Sequence, residues 1–148
     1  LFNVYGPRQD SSSPYSGVVS IFLERLKKNL PITIFGDGKQ TRDFVFVSDV
    51  ARAFLLIGED LIRNGVNSQC HKNSLNVSTG RAVEINGLIS EISLQTSSNP
   101  MISQSHTREA DIEHSLGNYD NLSRITGWTP EVSLEYGLSV LINELNQE

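Results

Sequence analysis

Residues 31–49, PITIFGDGKQTRDFVFVSD, constrain the fold more than any other part of the chain. Two apolar, β-prone runs, residues 32–35 and 44–47, flank Gly36-Asp37-Gly38 and a polar continuation to Thr41. Asp-Gly between strand-like runs is a strong short-range hairpin signal. The stretch therefore predicts a β-hairpin with a loop longer than two residues. Arg42 stands at the mouth of the returning strand. A guanidinium there can offer a planar fork of donors to a phosphate or a carboxylate. The other reading is a surface hairpin whose arginine is merely solvated.

Apolar periodicity places helices around this stretch. Val18, Phe22 and Leu26 predict a helix over 17–29, with Lys27 and Lys28 at its positively charged end. Ser48 or Asp49 caps a second helix to about residue 62, with Val50, Ala53, Phe54 and Ile57 on one face. Ile85, Leu88, Ile89 and Ile92 mark a third over 82–95. A short fourth covers 118–126 and ends at Gly127. Leu134, Leu138, Leu141 and Leu145 form one face of a fifth over 133–145. Residues 1–5 and 75–77 read as strands, and 101–103 as a brief edge strand. Gly6-Pro7 and the polar run RQDSSSPYS break the chain after the first strand. Strands alternating with helices indicate an α/β arrangement, and 148 residues suit one domain, 1–148.

Charge and composition exclude several functions. A net charge of −5 argues against a broad nucleic-acid surface. No apolar run approaches the roughly 20 residues of a membrane-spanning helix, so no membrane partner is expected. The lone Cys70 excludes an internal disulfide framework and suits a reducing cytoplasm. Cys70 and His71 are adjacent and have no second pair at ligand spacing, so no metal is expected. No glycine-rich fingerprint opens a helix after a strand, and no serine sits in a nucleophile elbow. Asp37 and Asp43 read as a turn residue and a strand-start residue. Asn3, Arg42, Arg108 and Asp111 remain as loop ligands for an anion. Phe35 is a possible aromatic face for a base, and the two arginines could converge on one diphosphate.

The chain opens at Leu1 in an apolar run, which suggests a piece of a longer protein. The blocks FNVYGPRQ, GVVSIF, ITIFGDGKQTRDFVFVSDVARA, LNVSTG and TREADIEHSLGNYDNLSRITGWTPEVSLEYGL settle which. In this order they resemble the C-terminal half of extended short-chain dehydrogenases/reductases, in particular nucleotide-sugar 4-epimerases acting on UDP-glucose or UDP-N-acetylglucosamine. The resemblance implies an α/β fragment of a Rossmann-type protein. It would be a small substrate-binding domain with a hairpin and about five helices. It implies NAD as the cofactor of the whole enzyme, hydride transfer at C4 of the sugar, and a role in polysaccharide precursor synthesis. The family's NAD fingerprint and Tyr-x-x-x-Lys pair lie in its N-terminal half, and neither occurs in this sequence. This chain is therefore expected to bind a UDP-sugar, to bind no NAD and to be inactive alone.

Residue by residue, the resemblance puts Asn3 and Arg42 on the diphosphate, with Arg108 as the second arginine. It puts Gly17 and Val18 at a helix start beside the nucleotide, Thr33 and Phe35 beside the uracil ring, and Asp111 on the ribose hydroxyls. Ser115 stands where some members have a tyrosine, and Ala110 where the family has glycine. The resemblance leaves strands 1–4 and 75–77 without their sheet neighbours, so self-association through exposed strands is expected. A 4,6-dehydratase, a decarboxylase, a reductase or a non-catalytic binding module are the other readings.

Overall fold

Two short strands far apart in sequence form the centre of the fold. The computed structural model describes residues 1–10, 17–71, 73–107 and 111–145. Strand β1 (Asn3–Tyr5) pairs in parallel with Phe44–Phe46, Asn3 opposite Phe44 and Tyr5 opposite Phe46. Parallel strands need a long crossover, usually helical. Here the crossover contains α1 (Val18–Lys27), then β2 (Ile32–Phe35) and β3 (Thr41–Arg42), and leads into the paired strand, β4 (Phe44–Phe46).

The predicted hairpin does not form. β2 pairs in parallel with Ile102–Ser105, the strand β6, and Gly36 N extends the ladder to Ser105 O at 3.0 Å. β3 pairs antiparallel with β5 (Val83–Glu84). Gly36 and Gly38 do turn the chain, both at φ +77°. The turn delivers it to β3, however, and β4 then crosses onto β1. Burial explains the choice. All three residues of β4 are buried, as a strand covered on both faces requires. β2 alternates instead, with Ile32 and Ile34 buried and Thr33 and Phe35 half-buried. The expected edge strand at 101–103 thus becomes β6, a full partner of β2. Residues 75–77 form no ladder; Val77 O accepts a hydrogen bond from Phe2 N at 3.1 Å.

Helix α2 (Val47–Asn64) starts directly from β4, and Phe46 occupies its N-cap without a side-chain bond. Neither Ser48 nor Asp49 caps it. Asp49 is buried in the first turn, where its carboxylate accepts bonds from Glu131 N (3.0 Å), Val132 N (2.9 Å) and Arg52 Nη2 (2.8 Å). It anchors the segment that leads into the last helix. Helix α3 (Ile85–Thr96) follows β5 without a gap; α4 (Asp120–Thr126) ends at Gly127, φ +74°; and α5 (Leu134–Leu145) closes the described chain.

The core has two parts. Ile85, Leu88, Ile89 and Ile92 of α3 meet Phe22, Ile32 and Leu138 in the larger one. Val45, Ala53, Val77, Leu122 and Trp128 make the smaller. Trp128 is fully buried, donates from Nε1 to Asp49 O at 2.9 Å and stands edge-on to Tyr119 at 5.6 Å. Cys70 is buried and forms no disulfide, and desolvation, with Asp60 nearby, pushes its thiol up. Among the described residues no helix is long and apolar enough to cross a membrane.

Phe54 is not a core residue. It is 61% exposed, Leu55 is 68% exposed and Ile62 is 89% exposed. With Val47, Ala51 and Gly58 they fall within one stripe of α2, next to the face that packs on Val45 and Trp128. The i, i+3, i+4 pattern in the sequence thus mixes two apolar faces of one helix.

Asp43 joins the parts. Fully buried, its carboxylate accepts Thr79 N (2.8 Å), Thr79 Oγ1 (2.6 Å), Gly80 N (2.9 Å) and Gly117 N (3.2 Å). Its own carbonyl accepts Asn3 N at 3.0 Å and Asn3 Nδ2 at 3.1 Å. The sequence reading as a strand-start residue gave it too small a part. Asp43→Ala strands these buried donors and should cost about 3 kcal/mol of unfolding free energy. Urea denaturation checks this, and a loss under about 1 kcal/mol would contradict the assigned role.

Candidate functional site

A cavity of about 620 Å³ opens between α1, β2 and β3, within the usual range for small-molecule sites. One wall is α1. Gly17, Val18, Ile21, Phe22 and Arg25 line it, and steps of three or four residues put them on one helix face. Gly17 is the N-cap of α1 and has no side-chain cap, and the first turn has no acidic residue. The cavity therefore meets the positive end of the helix with backbone N–H groups available.

The second wall is β2. Alternation turns Thr33 and Phe35 away from Ile32, and both line the cavity. Thr33 Oγ1 and Ser103 Oγ share a hydrogen bond of 3.0 Å, which fixes the threonine against β6. Gln40 reaches back to donate from Nε2 to Phe35 O at 2.8 Å.

Asn3 and Arg42 make the polar end. Asn3 is held there by its side-chain bond to Asp43 O. Arg42 Nη1 donates to Thr41 O (2.8 Å) and Ile112 O (2.5 Å), and Nη2 to Asp111 Oδ1 (2.7 Å). Their side chains are 16% and 26% exposed, so the ion pair is partly shielded from water. Ser115 N donates to Thr41 O at 3.1 Å, which ties the segment after Asp111 to β3.

Seven residues singled out in the sequence border this one cavity: Asn3, Gly17, Val18, Thr33, Phe35, Arg42 and Asp111. The eighth, Arg108, lies outside the described residues, as does Ala110. Arg25, Gln40 and Ile85 also line the cavity and were missed. Arg25 had a legible signal, since it continues the helix face of Val18 and Ile21. Gln40 had none, because its role depends on the turn at Gly36 and Gly38. Tyr5 lies in the core rather than in the cavity, and burial pushes its hydroxyl up.

The chain is similar to known proteins along nearly its whole length. The model of the NAD dependent epimerase/dehydratase family matches residues 1–69. A UDP-glucose 4-epimerase from Thermotoga maritima, solved with UDP-glucose, superimposes with a TM-score of 0.86 at 35% identity over 99% of this chain and 44% of its own. Residues 1–69 match this epimerase/dehydratase family, and the chain as a whole is similar to UDP-sugar 4-epimerases and related enzymes. The UDP-glucose 4-epimerase of Mycolicibacterium smegmatis is 34% identical over 93% of this chain and 41% of its own length. UDP-glucuronic acid decarboxylase 2 of Arabidopsis thaliana is 30% identical over 99% of this chain and 31% of its own. The chain thus spans less than half the length of the family members it matches.

The loop that carries Gln40 and Arg42 to the cavity depends on Gly38. A Cβ there would overlap the Asn86 side chain, and φ is +77°. Gly38→Ala should lower stability by about 2 kcal/mol from the backbone and the overlap together. A thermal unfolding midpoint equal to the parent's would show that the loop relaxes freely.

Proposed function

We propose that residues 1–148 are the substrate-binding part of an NAD-dependent nucleotide-sugar epimerase and hold a UDP-sugar in the α1–β2–β3 cavity. One observation carries the reading. An uncapped helix start, an asparagine and an arginine meet at one end of a cavity whose adjacent strand presents Thr33 and Phe35. Asn3, Arg42 and the N–H groups at Gly17 and Val18 hold the diphosphate, with Arg108 as the second arginine. Thr33 and Phe35 flank the uracil ring, and Asp111 meets the ribose hydroxyls. The likeness to a fold solved with UDP-glucose supports this arrangement.

The whole enzyme interconverts C4 epimers with NAD. Two of the strand–helix junctions do not fit a dinucleotide. β4 and β5 run into α2 and α3 with no turn between, whereas a pyrophosphate needs a glycine-rich turn at that junction. Hydride transfer therefore belongs to the rest of the fold, and this chain binds and orients the sugar nucleotide. The protein works in the cytoplasm in polysaccharide precursor synthesis.

Calorimetric titration of the full chain with UDP tests the site. UDP should bind, and Arg42→Ala and Arg108→Ala should each weaken it at least about tenfold, about 1.4 kcal/mol. Unchanged binding by both variants would remove their assigned roles.

Isolated copies also self-associate. The apolar stripe of α2, with Phe54, Leu55 and Ile62, is the surface whose exposure drives this. In light scattering the parent chain should exceed the monomer mass, and Phe54→Glu with Leu55→Glu should return it toward monomer. A parent chain that stays monomeric at high concentration would overturn the idea.

A further inference from the structure

The cavity holds a second guanidinium that the nucleotide-sugar reading leaves unused. Arg25 lines it two helical turns beyond Val18. At about 1.5 Å per residue, this puts Arg25 some 10 Å along α1 from the helix start. Arg25 Nη1 donates to Pro31 O at 2.8 Å. Pro31 leads straight into β2, so the bond parks the guanidinium beside the strand that carries Thr33 and Phe35. Arg42 and Asn3 stand at the other end, near the start of α1. The two cations therefore differ in setting. Arg42 is matched by Asp111, whereas Arg25 has no ion-pair partner among the described residues.

An arginine offers donors and no acceptor. Resting on the nucleotide-sugar reading, the geometry points to Arg25 as the residue that selects the base: it donates to the C4 carbonyl of a diketo pyrimidine. Uracil and thymine present an acceptor at that position. Cytosine presents an amino group, so donor would face donor and the guanidinium would be left unsatisfied. Sites built to hydrogen-bond one group reject its analogue for this reason. The competing account is purely structural. Arg25 lies in the last turn of α1, where a basic side chain can tie off the helix end.

Titration of the full chain with UDP, dTDP and CDP separates these accounts. The parent chain should bind UDP and dTDP alike and CDP about tenfold more weakly. Arg25→Met should lose about tenfold in UDP and dTDP affinity and leave CDP unchanged, which abolishes the preference. Arg25→Lys, which keeps a donor and the charge, should restore part of it. Equal losses for all three nucleotides in Arg25→Met, or no loss, would overturn the assignment and leave the helix-end role. If Arg25→Met unfolds, the parent chain's own preference and Arg25→Lys decide, and equal UDP and CDP affinity in the parent overturns the proposal. If the parent binds none of the three, the nucleotide-sugar reading itself falls, and this assignment with it.

Discussion

The fold hangs on one buried carboxylate. Asp43 sits between Arg42, which faces the cavity, and Phe44, which begins the central strand. Its oxygens gather N–H and O–H donors from residues 79, 80 and 117, and its carbonyl holds both nitrogens of Asn3. A buried carboxylate is tolerated when its lone pairs are filled in this way. Because the donors come from distant parts of the chain, the charge can be satisfied only when those parts are assembled. The same node sets the relative positions of Asn3 and Arg42, so the polar end of the cavity inherits its precision from a residue that does not line it. Asp49 acts similarly in the first turn of α2, holding the backbone at 131–132 and, through its carbonyl, Trp128.

The helices were legible because each buries a long, regular stripe. Ile85, Leu88, Ile89 and Ile92 are all buried, as their spacing implies. The strand partners were not legible. Strands of two to four residues carry too little pattern to specify a neighbour, and the Asp-Gly turn fits either a hairpin or a redirected chain. What decides is burial on both faces of β4, and that depends on α2 and β1 together. Phe54 shows the opposite limit: its spacing matched a core face, but α2 has two apolar faces, and spacing cannot say which is covered.

The site was legible chiefly as residue types. Asn3, Thr33, Phe35, Arg42 and Asp111 come from four separate segments, and nothing local requires them to meet. Their meeting follows from two parallel pairings, β1 with β4 and β2 with β6, that the sequence does not display. Gln40 and Arg25 escaped because each is placed by one backbone carbonyl, Phe35 O and Pro31 O, whose position exists only after the turn and the strand have formed.

The gapless joint between β4 and α2 makes strand and helix a single stiff lever. α2 has 18 residues, which makes it about 27 Å long. With no loop to absorb rotation, a tilt of one degree where Arg42 approaches the cavity would carry the far end of α2 through about 0.5 Å. The lever's exposed flank is its apolar stripe. Phe54 and Ile62 thus stand on one unbroken strand–helix element that follows Arg42 and Asp43 in the chain.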